Sequence, residues 1–483
     1  MSPVISPATL PPQHADAKAT DCAAPASGAD PASGQAKTWA AGHRAALAAA
    51  LSMALTTALC VWLACSYQDD FHVYLEGAHG LFSGALYSHS TRGDLFTYPP
   101  FAALLFVPLE CLSSTTAAQV LWALLNEAAL LGLLTVSIRA VRPDLPRRSR
   151  RLWALGLSAP ALLSDPVLLA VRHGQVDILI TLLVVWDLIG ARRPGTRTVP
   201  AGVATGLAAA IKLTPLIFVP YLLLTRRFKA AWRCIGTFVA AEAIAFAVSP
   251  SASKAYWTHD LFDYRRVGGA LGLQGLFAPT NQSLLGALGR LNHGAVPSGV
   301  LWTVAGVLAV LGVALAAYVH FRWSAFLGVA LCATTGLLIS PVTWTHHMIW
   351  VIPVVVWLGA SPARPRWGRP AAAFTTVLFW ITPIWWVADE GQAPLHENGW
   401  QLMAGNAFFL WMVLLLVACA ASVYRYRGTR LVSRMAARRD GRLGWSARQH
   451  PELVEPAPGS AYDEAAAWPL DDDASNSVRP LVH

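Results

Sequence analysis

Ala45-Ala46-Leu47-Ala48-Ala49-Ala50-Leu51-Ser52-Met53-Ala54-Leu55-Thr56-Thr57-Ala58-Leu59-Cys60-Val61-Trp62-Leu63-Ala64 carries no charged side chain. Its length matches the roughly 20 apolar residues that a helix needs to cross the hydrocarbon core of a bilayer. The run lies too deep in the chain, and is too long, for a cleaved signal peptide, so it reads as a signal anchor. Comparable apolar stretches recur to about Tyr426, separated by short polar or proline-rich breaks. Composition agrees: 55% of the 483 residues are hydrophobic, 13% are charged, and the mean hydropathy is +0.45. Those values set aside a string of soluble domains in favour of one membrane domain.

The net charge of +9 is not a nucleic-acid signature, because the arginines sit in short loops and no basic face interleaves with aromatics. They report topology through the excess of Lys and Arg on cytoplasmic loops. Arg44, Arg142 to Arg151, Arg192 to Arg197, Arg226 to Arg233, Arg322, Arg364 to Arg369 and Arg425 to Arg430 all belong inside. The complementary loops then face outside: Tyr67 to Tyr98, a turn around His173, Ser251 to Pro297, the Pro341 to His347 corner, and Asp389 to Trp400. The expected organisation is a disordered cytoplasmic tail over residues 1–44, a membrane domain over 45–426, and a second disordered cytoplasmic tail over 427–483. The expected fold is all-α and polytopic, with ten to twelve transmembrane helices. Pro99 to Cys111 and Val199 to Leu224 are too short for simple crossings and are expected to be re-entrant or paired half-helices. The seven cysteines have no metal or redox spacing, so neither a disulfide framework nor zinc is expected. Arg-rich, Ala-rich composition points to a high-GC bacterial plasma membrane.

Between the tails, most polar side chains fall on the outer loops, where any chemistry is therefore expected. Asp69 and Asp70 follow the first apolar run in Asp69-Asp70-Phe71-His72-Val73-Tyr74. A carboxylate at a membrane boundary is partly desolvated and becomes a better base; the alternative is an ordinary charged helix end. Arg172-His173-Gly174-Gln175-Val176-Asp177 brings a cation, an imidazole, an amide and a carboxylate to one turn, a set suited to phosphate or sugar hydroxyls, or else a solvated connection. Lys212 interrupts an apolar segment, Gly206 to Pro215. There an ionisable group costs about 2.5–3.5 kcal/mol at mid-membrane, so it should face a cavity or partner, with snorkelling as the alternative. Asn281-Gln282-Ser283 opens an apolar run. In Ser340-Pro341-Val342-Thr343-Trp344-Thr345-His346-His347 the adjacent histidines lack the i, i+4 spacing of a zinc helix, which favours hydrogen bonding to phosphate or sugar, with Trp344 as a stacking or interfacial residue.

In their order and loop placement these segments resemble glycosyltransferase family 87, the polyprenol-phosphate-mannose-dependent α-1,2-mannosyltransferases of actinobacteria with the GT-C fold. The resemblance runs from about Trp62 to Arg425, and also includes Phe96-Thr97-Tyr98-Pro99-Pro100-Phe101. It implies an outward-facing cavity, a polyprenol-phosphate-mannose donor, and a glycan or glycolipid acceptor at the outer leaflet of the cell membrane. It implies that Asp70 is the general base, with Asp69 as the competing candidate, and that inversion gives the α-linkage. Lys212, Arg172, His346 and His347 would stabilise the leaving phosphate, with His173, Gln175, Tyr98, Asn281 and Trp344 as further donor or sugar contacts. No metal and no cofactor are expected. Arabinofuranosyl transfer occurs among relatives, so a polyprenol-phosphate arabinofuranosyltransferase is an alternative. A lipid or sugar transporter is another, which would need a midplane site between repeats instead of Asp70 near Lys212 or the histidine pair. An anchoring scaffold would leave these groups without a common cavity.

Overall fold

The computed structural model describes residues 31–66, 68–88, 94–190, 199–263, 266–267, 275–387 and 393–440, with side chains from residue 42 to residue 424. The outer parts of both expected tails therefore lie outside the described residues, as do Arg192, Arg193 and Arg197 and the Asp389 end of the last outer loop. The chain divides into two compact units, residues 1–420 and 421–483. The candidate site described below belongs to the first.

Among the described residues the fold is all-helical. The helices are α1 (Pro31–Ser66), α2 (Asp69–Ser83), α3 (Pro100–Glu110), α4 (Thr115–Val141), α5 (Arg147–Gly156), α6 (Ser158–Leu162), α7 (Asp165–His173), α8 (Asp177–Val185), α9 (Val203–Ile211), α10 (Phe218–Leu224), α11 (Phe228–Val248), α12 (Pro250–Thr258), α13 (Leu284–Leu291), α14 (Ser298–Arg322), α15 (Ala325–Ile339), α16 (Val351–Ala360), α17 (Gly368–Ile381), α18 (Gly399–Gly405) and α19 (Ala407–Asp440). Five contain stretches long and apolar enough to cross a membrane: Gly42–Ser66, Thr115–Val141, Phe228–Val248, Ser298–Arg322 and Ala407–Tyr424. Large apolar side chains such as Trp62, Val310 and Leu414 point away from the protein on these helices, which suits a lipid surround and not water. The chain is a multi-pass membrane protein.

Four more helices are apolar but shorter: Pro100–Glu110, Thr214–Leu224, Ala325–Ile339 and Thr345–Ala360. The ten to twelve membrane helices expected included short and re-entrant ones; among the described residues, prolines and polar residues cut part of the apolar sequence into such shorter pieces beside the five long spans. Helix α1 also begins inside the stretch read as a tail, at Pro31, although its apolar span starts at Gly42. At the other end α19 continues past residue 426 to Asp440.

Of the two segments expected to be re-entrant or paired half-helices, the first forms one short helix and the second a broken pair. Pro100 starts α3 at its first turn, where a missing N–H costs nothing. From Val199 to Leu224 the chain forms α9, breaks at Lys212 in extended backbone (φ −151°, ψ 126°), turns through Thr214–Ile217 and resumes as α10. Pro215 cannot donate a helical hydrogen bond, which fixes the break.

Helix α9 is held at its start and along one side. The buried Asp187 carboxylate accepts from the Gly202 and Thr205 amides and from the Thr205 hydroxyl at 2.7–3.1 Å. This carboxylate satisfies donors that the first helical turn leaves open. Along its flank α9 lies directly on α11: a Cβ at Gly206 would come within 2.4 Å of the Cys234 carbonyl oxygen, and one at Gly202 within 2.0 Å of the Ala230 oxygen. Such small-residue contacts let membrane helices approach closely. Since α9 ends at Lys212, its docking sets where that ammonium lies. Replacing Gly206 by Val should therefore lower the melting temperature of the detergent-solubilised protein by several degrees. Gly236→Ala, which meets nothing within 4 Å, should leave it unchanged or slightly raise it.

Candidate active site

The two adjacent carboxylates occupy the first turn of α2. From there Tyr74 is one helical turn from Asp70, a spacing that puts the two on the same face. Three contacts hold the α7–α8 turn, one from α4 and two from the start of α2. The Trp122 indole of α4 donates to the Gly174 carbonyl at 2.6 Å. Gln68 donates to the Val171 carbonyl at 3.4 Å. Gly174 adopts a left-handed conformation (φ 72°) directly against Phe71, where a Cβ would lie 2.6 Å from that side chain. Only glycine meets both demands there.

The turn places Gln175, 3% exposed, between three groups from the first loop. Its side-chain oxygen accepts from the Tyr74 hydroxyl at 2.6 Å and from the Tyr98 hydroxyl at 3.1 Å, the hydroxyls being 3.0 Å apart. With that oxygen occupied, the amide nitrogen is what remains to face the Asp70 carboxylate, and it does so. On the other side His173 Nδ1 lies 3.9 Å from Asp70 Oδ2. About a third of the Asp70 side chain stays accessible (33%). Burial nonetheless pushes its carboxyl from the ordinary range up to about 7. The Gln175 hydrogen bond opposes that rise, Asp94 and Asp69 add to it, and the Lys212 charge pulls back. Desolvation thus outweighs the favourable partners.

Lys212, 9% exposed, donates to Asp177 Oδ1 at 2.8 Å and to Oδ2 at 3.1 Å, and its ammonium lies 5.5 Å from the centre of the Tyr98 ring. Beside this pair are His346 and His347, both buried, in the tight turn Thr345–Trp350. Their rings are 4.7 Å apart, and the His346 ring is 5.9 Å from that of His173. Nε2 of His346 is buried with no hydrogen-bond partner among the described residues. The donor atoms of Asp177, His346 and His347 all lie within 4.8 Å of one another. The groups therefore close a ring: Asp70, His173, His346, His347, Asp177, Lys212, Tyr98, Gln175 and back to Asp70. A cavity opens beside Lys212, with Asp177 and His347 on its polar side and Phe218, Leu337 and Trp350 among its apolar walls.

Of the residues singled out in the sequence, Asp70, Tyr98, His173, Gln175, Lys212, His346 and His347 come together in this ring, with Asp69 beside Asp70. Arg172 is exposed on the α7 face next to it. Asn281 and Trp344 play a different part. They pair as an isolated antiparallel bridge. The wholly buried Asn281 amide donates to the Leu276 and Pro341 carbonyls and accepts from the Ser283 and Thr343 amides. Its side chain staples two loops, and Trp344 packs against the apolar cluster around Leu276, Phe277 and Leu284. Two further functional residues emerge from the structure: Asp177, within the ring, and Tyr74, hydrogen-bonded to its Gln175 and Tyr98. Tyr74 has a usable signal in its i, i+4 spacing from Asp70. Asp177 stood in a quoted motif, but nothing in the local pattern joins it to Lys212, 35 residues away.

A polar ring of carboxylate, imidazole and ammonium groups is thus set among the broken helices of an all-α polytopic protein, an arrangement that fits a membrane transferase of the GT-C class. The model of glycosyltransferase family 87 matches residues 96–341, and the chain belongs to that family. It is therefore a hexosyltransferase. The match contains Gln175, Asp177 and Lys212; Asp70 and the histidine pair lie outside it. One relative, from Mycobacterium tuberculosis, is a polyprenol-phosphate-mannose-dependent alpha-(1-2)-phosphatidylinositol mannoside mannosyltransferase, 32% identical over 380 residues, covering 74% of this chain and 85% of the relative. Another with the same description, from Mycolicibacterium smegmatis, is 31% identical over 381 residues, covering 73% and 83%. A phosphatidylinositol pentamannoside mannosyltransferase from Mycobacterium tuberculosis is 30% identical over 370 residues, covering 74% and 82%. No solved structure matches the chain.

Replacing Gln175 by Leu would leave two tyrosine hydroxyls without their acceptor, at a cost of about 1–3 kcal/mol for a buried group left unsatisfied. The variant should melt several degrees below the parent in a detergent thermal-shift measurement, whereas Arg172→Leu should not.

Proposed function

We propose that the chain transfers a mannosyl residue from polyprenol-phosphate-mannose to a hydroxyl of a glycan or glycolipid presented at the outer leaflet, with inversion, forming an α-1,2 linkage. The donor and linkage rest on the names of the curated relatives. The observation that carries the mechanism is the ring itself, in which Asp70 stands across from a buried ammonium and two imidazoles.

In this reading Asp70 takes the proton of the acceptor hydroxyl as its oxygen attacks the anomeric carbon. A base works best when its pKa lies near the working pH, and a carboxyl raised to about 7 meets that condition while a third of it remains open to substrate. His173 and Gln175 orient it. The bond to the phosphate breaks on the opposite face of the sugar, and charge grows on the departing phosphate. Lys212, His346 and His347 supply donors for that charge in a site shielded from water, where preorganised electrostatics has its largest effect. Tyr98, sharing Gln175 with Tyr74, stands between the two poles and suits contact with the sugar. Asp69 precedes Asp70 on the same turn, and it is Asp70 that carries the Gln175 hydrogen bond.

Radiolabelled mannose transfer from polyprenol-phosphate-mannose to membrane glycolipids tests the assignment. Asp70→Asn should lose about 10²–10⁴ of the rate, the usual contribution of a general base, and Asp69→Asn should keep most of it. Equal loss in both, or in neither, overturns the choice of base. The sign of the pH dependence follows from the raised pKa. The base must be deprotonated to act, so kcat/KM should rise with pH through about 7 and level off above. Gln175→Leu removes the hydrogen bond that lowers that value, so its rising limb should move to higher pH. An unmoved limb would show that another group titrates.

A further inference from the structure

Two imidazoles and a carboxylate with donor atoms inside a sphere a few ångströms wide form a ligand set commonly taken by a divalent transition metal, with one position left for substrate. Asp177, His346 and His347 make such a set, their donor atoms within 4.8 Å of one another and all three side chains buried. Two details strengthen the likeness. Nε2 of His346 is buried without a hydrogen-bond partner among the described residues. His347 faces the Val342 carbonyl, as a ligating histidine faces the group that fixes its tautomer.

The cluster nevertheless already has a cation. The Lys212 ammonium sits on both oxygens of the carboxylate, at 2.8 and 3.1 Å. It is delivered there by backbone that has left the helix: Lys212 is extended, and its amide donates back to Ala208 at 3.0 Å. We infer that Asp177, His346 and His347 form a cation site whose resident cation is the Lys212 ammonium, standing where a divalent metal would otherwise bind, and that Asp177 is the residue that positions it. An ammonium has three donors and no acceptor. Two are engaged by Asp177, leaving one for a phosphate oxygen. A tethered charge of this kind needs no loading and keeps its place whatever metal is available outside.

What the cation is for rests on the transferase reading above; that the site accepts cations does not. The test therefore reads metal binding and turnover separately, on the full-length protein in nanodiscs. Cobalt(II) is the probe, followed by its visible d–d absorption. The parent protein should take up no stoichiometric cobalt, and its transfer rate should be indifferent to EDTA. Lys212→Ala vacates the site, so it should bind about one equivalent of cobalt in a low-symmetry site rich in nitrogen donors. Lys212→Ala/Asp177→Asn and Lys212→Ala/His346→Ala/His347→Ala should not. Lys212→Ala should also lose about 10²–10³ of the transfer rate, as expected for removing one stabilising donor. Manganese(II) or zinc(II) should restore about tenfold of it, while doing nothing for Lys212→Ala/Asp177→Asn.

Asp177→Asn alone should raise KM for the donor more than it lowers kcat, with partial recovery in Asp177→Glu. Two results would overturn the inference: parent activity abolished by EDTA and recovered with metal, or a Lys212→Ala protein that melts like the parent yet binds no cobalt. Cobalt binding by Lys212→Ala in a protein whose parent transfers no mannose would leave the cation site standing and remove the proposed function instead.

Discussion

A lysine and an aspartate buried side by side among apolar helices have little latitude. Either charge alone would be costly to keep away from water, and the pair is tolerable only with close geometry and with its remaining donors and acceptors engaged. The Lys212–Asp177 contact obliges α8 to start, and α9 to stop, at the same place. That meeting point depends in turn on groups that touch neither residue. Asp187 anchors the start of α9, and Gly202 and Gly206 let α9 lie against the α11 backbone. The break at Lys212 is kept by Pro215, so the ammonium ends a helix instead of lying along one. Much of the membrane architecture on this side serves to bring one cation to one carboxylate.

The sequence shows part of this directly. An apolar run interrupted by Lys212 and Pro215 announces both the half-helix and its ionisable residue, because hydrocarbon is intolerant of unpartnered charge. Adjacent carboxylates just beyond the first span, and the His173 turn with its glycine, likewise mark a place where polar groups cluster. Pairing across long separations is harder to see. Asp177 and Lys212 are joined by the packing of α8 on α9, which no periodicity encodes. Asn281 misleads for a related reason: a buried amide beside Gln282 and Ser283 looks like a ligand contact until its four backbone partners are counted. Trp344 is similar, since an aromatic at a membrane boundary and one filling an apolar cluster have the same sequence appearance.

Family 87 membership and the ring complement each other. The family match spans Gln175, Asp177 and Lys212, the groups in the middle of the ring, and the structure adds Asp70 and the histidine pair from either side of the matched stretch. Under the proposed mechanism, base and leaving-group donors would then both belong to one site, as displacement at a sugar carbon requires. The cavity beside Lys212 has Asp177, Lys212 and His347 in its lining together with the apolar side chains of Phe218, Leu337 and Trp350.

The left-handed Gly174, pressed against Phe71, has a bearing on how such proteins can diversify. The first loop supplies Asp70, Tyr74 and Tyr98, while the α7–α8 turn supplies His173 and Gln175, yet the two are keyed together by a contact that admits no side chain. Neither segment is a cassette that can be exchanged alone. Recombination between relatives, natural or engineered, would have to carry residues 68–98 and the turn near 174 as one inheritance unit, leaving the loops farther along the chain freer to vary.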